Sequence, residues 1–344
     1  RCALGFLIAG CNTGKGIQQE AFNATVRFEE NALPVLPGVE GFGTRTPAGR
    51  GGEIITVTTL APEGPGSFRE ALAMPGPRTI VFEVGGVIDI HKALVITEPF
   101  VTVAGQTAPE PGINIIGAGI LVATHDVLMQ HISVYVGDRL DGPEPTGRDG
   151  IGIVGTPDGQ REVYNVVIDH CSEYWAVDEG VSTWHPGVHD VTIRQCIIAE
   201  NLSRSIHPEN EHSKGLLIGD HSRRIAVIGN LFAHNMRRSP LIKGDVSALV
   251  VNNLIYNPGK DIIHFSDPED SGGSYATIVG NVLAPDLDTR RKPLVHMLFS
   301  SKKTCRVYTG DNMVTGSRAE GWPLEKIKRG CKVNEPPVWV EPLT

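Results

Sequence analysis

Three stretches decide the fold: Val227-Ile-Gly-Asn-Leu231, Val250-Val-Asn-Asn-Leu254 and Ile278-Val-Gly-Asn-Val282. Each ends a short β-branched run, passes through a turn-prone residue and an Asn, and restarts on an apolar residue. Ile168-Asp-His-Cys-Ser172 and Ile193-Arg-Gln-Cys-Ile197 have the same shape with Cys in the Asn place. The marked positions, Cys171, Cys196, Asn230, Asn253 and Asn281, are spaced by 25, 34, 23 and 28 residues, and Asn312 follows after another 31. An imperfect period in this range, with a short strand and a polar turn per repeat, signals a stacked repeat architecture.

Other β-branched runs fit the same period, among them Thr79 to Val84, Val101 to Val103, Ile113 to Ile116, Val191 to Ile193 and Leu249 to Val251. After Thr79 the pattern offers no long helix. The leucine-rich consensus is absent, and a propeller would need about four strands per forty residues. An all-β, right-handed parallel β-helix fits best. Equivalent residues then stack roughly 4.8 Å apart along the axis. Asn230, Asn253 and Asn281 should form an internal ladder, each amide bonded to the next coil. Cys171 and Cys196 should share that row, either as a disulfide or as two buried thiols, and Cys305 and Cys331 leave the pairing open.

Toward the N-terminus, Glu53 to Thr59 alternates as a first strand. Ser67-Phe-Arg-Glu70 forms a capping box, which predicts a short helix from Phe68 to about Met74. A solenoid end needs a cover, and an amphipathic helix would supply it. Residues 1–11 read as a signal-peptide apolar run closing on Ile8-Ala-Gly-Cys11, a lipobox-like sequence that would leave Cys11 lipidated. The chain starts without Met, so the charged part of such a leader is expected to be missing. Residues 12–34 read as a linker and 35–344 as the β-helix. Export to the cell envelope or beyond follows from this reading.

The formal charge is −8, which argues against nucleic acid as the main partner. Against that balance, Asn201 to Gly244 carries seven Lys/Arg and three acids. A basic segment on an acidic protein points to a site for an anion. A monomer is expected.

Six motifs in order then resemble a known family: Gly41-Phe-Gly43, Gly49-Arg-Gly-Gly52, Gly64-Pro-Gly-Ser-Phe-Arg-Glu-Ala-Leu72, Ala104-Gly-Gln-Thr-Ala-Pro109, Val167-Ile-Asp-His-Cys-Ser172 and Arg238-Ser-Pro-Leu-Ile-Lys243. They are similar to bacterial pectate lyases of polysaccharide lyase family 1, over roughly Leu36 to Val314. The resemblance implies a parallel β-helix that cleaves α-1,4-linked galacturonate by β-elimination, usually with calcium. The substrate partner would be an acidic polysaccharide.

By the same resemblance Arg238 is the catalytic base, although a guanidinium normally stays protonated. A plain carboxylate clamp is the alternative. Lys214 would contact a uronate carboxylate. Lys243 stands where the family motif ends in Arg, exchanging a bidentate fork for a point charge. Arg237 would lie at the substrate rim. Asp149, Asp178 and Glu179 would hold calcium. Gly147, and Ser182 or Thr183, replace carboxylates that the family carries, so the metal set looks incomplete.

One observation is independent of the family. Asp149, Glu179, Lys214 and Arg238 are 30, 35 and 24 residues apart, which are coil-length intervals. Acids on two coils and cations on the next two would form a cleft for a metal and an anion. Asp169 and His170, as strand neighbours, should point to opposite faces and play a structural part. The histidines His185, His189, His207, His212 and His221 are expected to line a polar groove rather than hold zinc. Tyr174, Trp175 and Trp184 could stack on sugars or pack in loops.

Two other functions remain open. A β-helical polygalacturonase should show Asp-Asp and His-Gly, and neither dipeptide occurs. A non-catalytic pectin-binding β-helix would explain missing calcium ligands, but not the presence of Lys214 and Arg238.

Overall fold

Each coil of the structure, a computed structural model describing residues 33–266, 272–298 and 305–340, lays down three strands in turn. Sheet I has ten strands and begins at Glu53–Val57; sheet II has nine and begins at Gly86–Asp89; sheet III has nine and begins at Leu94–Ile96. From Arg78 to Lys326 the strands follow the order I, II, III without exception, and every pair is parallel. This is the expected right-handed parallel β-helix. The leader at 1–11, its Cys11 and nearly all of the linker lie outside the described residues. Among the described residues no helix is long and apolar enough to cross a membrane.

The core is made of apolar rows that run from coil to coil. In sheet I the row is Ile80, Val103, Met129, Ile168, Ile193, Val227, Val250 and Ile278, all buried and in register. Burying a side chain of this size contributes about 1.5–3 kcal/mol, so the stacked rows are the main source of cohesion.

The corner from sheet I to sheet II explains the recurring sequence. Its first residue is left-handed in the six coils from His170 onward: His170 (φ 53°), Gln195 (52°), Gly229 (65°), Asn252 (55°), Gly280 (67°) and Asp311 (51°). Gly, Asn and Asp are the residues that tolerate this region. The second residue is the ladder residue. Asn230 Nδ2 donates to Asn253 Oδ1 (2.9 Å), Asn253 Nδ2 to Asn281 Oδ1 (2.9 Å) and Asn281 Nδ2 to Asn312 Oδ1 (3.0 Å). Asn312 therefore does extend the ladder. Cys171 and Cys196 sit in the same row as buried thiols without a disulfide.

Helix α1, Phe68–Ala73, has Ser67 as its N-cap, and the Glu70 N–H donates to the Ser67 hydroxyl (3.2 Å). Glu70 Oε2 accepts from the Gly66 N–H (2.7 Å), closing the capping box one residue earlier than the usual pattern. At the other end the buried Arg78 guanidinium donates to the carbonyls of Ala71 and Leu72, which the last turn leaves unpaired.

Asp169 and His170 depart from the alternation rule. The left-handed His170 turns its ring back, and Nδ1 lies 2.9 Å from Asp169 Oδ1. Asp169 also accepts from Arg194 (2.6 Å) and Gln130 (2.8 Å), so the pair belongs to a structural network on sheet I.

Candidate functional site

The coils bring charged residues together where sheet II passes into sheet III. The strands Glu179–Trp184 and Lys214–Ile218 pair with Glu179 opposite Lys214. One coil on, Lys214 is bridged to Arg237. The spacing thus puts Arg237, not Arg238, in backbone register. Arg238 still reaches the cluster because its left-handed backbone (φ 64°) redirects the side chain. A non-glycine residue held in this region costs about 1–3 kcal/mol and is characteristic of functional sites.

Three carboxylates meet here. Oxygens of Asp149, Asp178 and Glu179 all lie within 4.8 Å of one another. Asp149 Oδ1 accepts the Glu179 N–H (3.0 Å), and its Oδ2 accepts from the Ser182 hydroxyl (2.5 Å). Asp178 Oδ2 accepts the Gly147 N–H (2.8 Å). Gly147 and Ser182 thus donate hydrogen bonds to Asp178 and Asp149. An all-oxygen, carboxylate-rich set suits a hard divalent cation such as calcium, so the residues present fit that ion in chemical type.

The cations already have partners. Arg238 Nη1 pairs with Glu179 Oε1. Lys214 Nζ lies 3.5 Å from Asp178 Oδ1, 3.7 Å from Glu179 Oε1 and 3.4 Å from Glu209 Oε2. Lys214 is only 5% exposed, so it is a buried charge of the cluster and not a solvated loop lysine.

Burial sets the protonation states. It raises the Asp149 carboxyl to about 7, with repulsion from Asp178 adding to the effect. For Asp178 burial acts in the same direction but is outweighed by hydrogen bonds from His212 and the Gly147 N–H and by the charge of Lys214, leaving it well below the ordinary range. Burial brings the Arg238 guanidinium down to about 10, against the pull of Asp178 and Asp149.

The other expected residues fall outside this cluster. Arg237, with its side chain 33% exposed, donates to Asp261 (2.6 Å). Lys243 stands at the far end of its strand, 3.2 Å from Asp220 and 4.4 Å over the Trp184 ring. Tyr174 stacks on Tyr135 at 4.9 Å, and Trp175 meets the same ring edge-on while remaining 45% exposed. His189 and His221 pair with Asp190 and Asp245.

Asp178, His207 and His212 also approach one another closely enough for a metal. Nδ1 of His207 accepts the Glu209 N–H (3.2 Å), so in the neutral ring Nε2 carries the hydrogen that faces Asp178 (3.8 Å). His212 Nε2 lies 2.6 Å from Asp178 Oδ1. His212 braces Asp178, and His207 stands beside the pair. Glu209 and Asp261 have no signal in the sequence beyond their residue type, because loops bring them in.

No protein-family model matches the chain. It is similar in sequence to "Probable pectate lyase C" of Aspergillus flavus, 36% identical over 75% of this chain and 56% of the relative, and to its Aspergillus terreus counterpart, 35% identical over 73% and 54%. The chain thus spans about half the length of these relatives. They are fungal, so the bacterial likeness of the motifs finds no support at this level of identity. In fold it resembles the major allergen of cedar pollen (TM-score 0.65, 18% identity, 90% of this chain and 88% of that one). It also resembles a pectate lyase bound to a hexasaccharide (TM-score 0.56, 14% identity, 87% and 92%). The chain is thus similar in sequence to curated pectate lyases over about three quarters of its length, and in fold to solved pectate lyases.

Proposed function

We propose that the chain is a polysaccharide lyase that cleaves α-1,4-linked galacturonate by β-elimination. The observation that carries the reading is the meeting of Arg238 and Lys214 with Asp149, Asp178 and Glu179 on successive coils of sheet III. Solved relatives of the same fold include pectate lyases in complex with trigalacturonate and with a hexasaccharide, which supports an acidic oligosaccharide as substrate. Export, as the apolar run near the N-terminus suggests, is part of the proposal.

Elimination removes the proton next to the uronate carboxylate. The electron pair forms a C=C bond, the glycosidic C–O bond breaks, and the leaving oxygen takes up a proton. The site must neutralise the carboxylate and supply a base. Calcium held by Asp149, Asp178 and Glu179 would supply positive charge toward that carboxylate. Arg238 is the base in this reading: a folded value near 10 makes its neutral form more accessible than that of a free guanidinium. Lys214, buried among three acids, lies beside the position a uronate carboxylate would take. Glu179 holds Arg238 in place until the substrate carboxylate competes for it.

The test is ultraviolet absorbance during incubation with polygalacturonate, with calcium or with chelator. A rise marks the conjugated unsaturated uronide that elimination leaves. New reducing ends without that rise would indicate hydrolysis. Binding with neither product would favour a pectin-binding β-helix, a reading that the internal pairing of both cations supports.

A further inference from the structure

One acid breaks an otherwise apolar interior row. In sheet II the row runs Ile88, Ile115, Val134, Glu173, Ile198, Phe232, Ile255 and Leu283 in register. Every member except Glu173 belongs to the hydrophobic core. Glu173 is 1% exposed, and its Oε1 has no hydrogen-bond partner. A buried polar atom left in this state costs about 1–3 kcal/mol, so an aliphatic residue would suit the fold better.

The carboxyl reaches the site from inside. A Cβ on Gly180 would lie 2.2 Å from Glu173 Oε2 and 2.5 Å from Asn201 Nδ2. A Cβ on Gly150 would lie 2.2 Å from Glu173 Cγ. Gly150 directly follows Asp149, and Gly180 directly follows Glu179. The acid therefore occupies space that the neighbours of two proposed calcium ligands leave open. Asn201 Nδ2 donates to Glu173 Oε2 (3.2 Å) and to the Lys214 carbonyl (3.0 Å), and its Oδ1 accepts the Ala176 N–H (2.8 Å). One amide thus ties Glu173 to the strand that starts at Lys214 and to the loop that leads to Asp178.

We infer that Glu173 is a positioning residue, kept in the core at the expense of stability, which holds the acidic and the basic coils of the cleft in their mutual arrangement through Asn201 and the glycine-lined space beside Asp149 and Glu179. Burial drives its carboxyl well above the ordinary range, with the charge of Asp149 adding to the rise while the Asn201 bond opposes it. It therefore acts as a neutral acid, and glutamine can replace it. The role fits the general dependence of metal ligands on the groups behind them. The calcium part rests on the proposed function; the positional part does not.

The test compares Glu173→Gln and Glu173→Leu by thermal unfolding, hydrogen exchange of the 174–179 segment and calorimetric titration with calcium alone. Glu173→Leu should melt higher than the parent, lose protection at the Ala176 amide and bind calcium about tenfold more weakly. Glu173→Gln should match the parent in exchange and bind calcium within about twofold. Parental protection of 174–179 in Glu173→Leu overturns the inference, as does a Glu173→Gln variant impaired as much as Glu173→Leu. If the parent itself gives no calcium heat, the calcium reading of the proposed function falls, and the exchange comparison still decides the role of Glu173.

Discussion

Two of the three corners of each coil handle polar side chains in opposite ways. Where sheet I turns into sheet II, Asn meets Asn: each amide finds an identical partner one coil away, from Asn230 to Asn312. Where sheet II passes into sheet III, unlike groups meet. Asp178 faces His212, Lys214 and the Gly147 N–H, and Arg238 faces Glu179. Repetition satisfies polar groups and leaves them inert. Heterogeneity buries opposite charges within reach of each other, where each can exchange one partner for another.

The comparison breaks most sharply at Arg238. Arg238→Ala should lower turnover of polygalacturonate by about a thousandfold or more with little change in melting temperature; retained turnover would place the base elsewhere. At the other corner Asn253→Ala should do the reverse. It removes the partner of the Asn230 N–H, one of the two bonds of the Asn230 amide and the side-chain donor to the Val227 carbonyl, and should cost about 2–4 kcal/mol of stability, read by denaturant unfolding. Turnover per folded molecule should stay at the parental level.

The pH profile separates a base from a clamp. With Arg238 near 10, a neutral guanidine as base gives a rate that climbs roughly tenfold per pH unit below that value. A clamp needs the cation and would give a rate that falls as the pH approaches about 10. Calcium affinity carries its own signature. Asp149 titrates near 7 in the folded chain and must be ionised to ligate. Affinity should therefore rise about fivefold from pH 6 to pH 7, flattening above, with close to one proton released per ion on the acid side. The sign for the metal-free fold is opposite. A carboxyl raised from 3.8 contributes stability that is fully present below that value and lost as the pH climbs through about 7. The smallest effect is expected at Lys243. Its ammonium meets Asp220 and the Trp184 face, so Lys243→Ala should raise KM a few-fold at most, worth under about 1 kcal/mol.

The repeat was readable because its cause is local. A left-handed residue followed by an Asn or Cys is a turn signal that any single coil shows, and the coil-length spacing of Asp149, Glu179, Lys214 and Arg238 follows from it. What escaped the sequence has non-local causes. The register opposite Lys214 belongs to Arg237, and only the backbone twist at Arg238 restores its place in the site. Lys214 is expected to contact a uronate carboxylate, but its burial between Glu209 and Asp178 comes only from the fold. Glu173, in the short strand Ser172-Glu-Tyr174, reads as a surface acid, since nothing nearby in sequence says that its row points inward. His170 shows the same limit: alternation holds inside a strand and fails at the corner residue, where the backbone changes hand.

The pairing of Arg238 with Glu179 and of Lys214 with Asp178 has a consequence for binding thermodynamics. A uronate entering this site exchanges one carboxylate partner for another, so little net charge is neutralised. Surface cations that bind a polyanion lose affinity steeply as salt is added, because the charges they meet are otherwise screened by counterions. Here the attraction is largely satisfied before the ligand arrives. Affinity for the polyuronate should therefore fall only gently with ionic strength, and discrimination would come from how well an incoming carboxylate competes with Glu179.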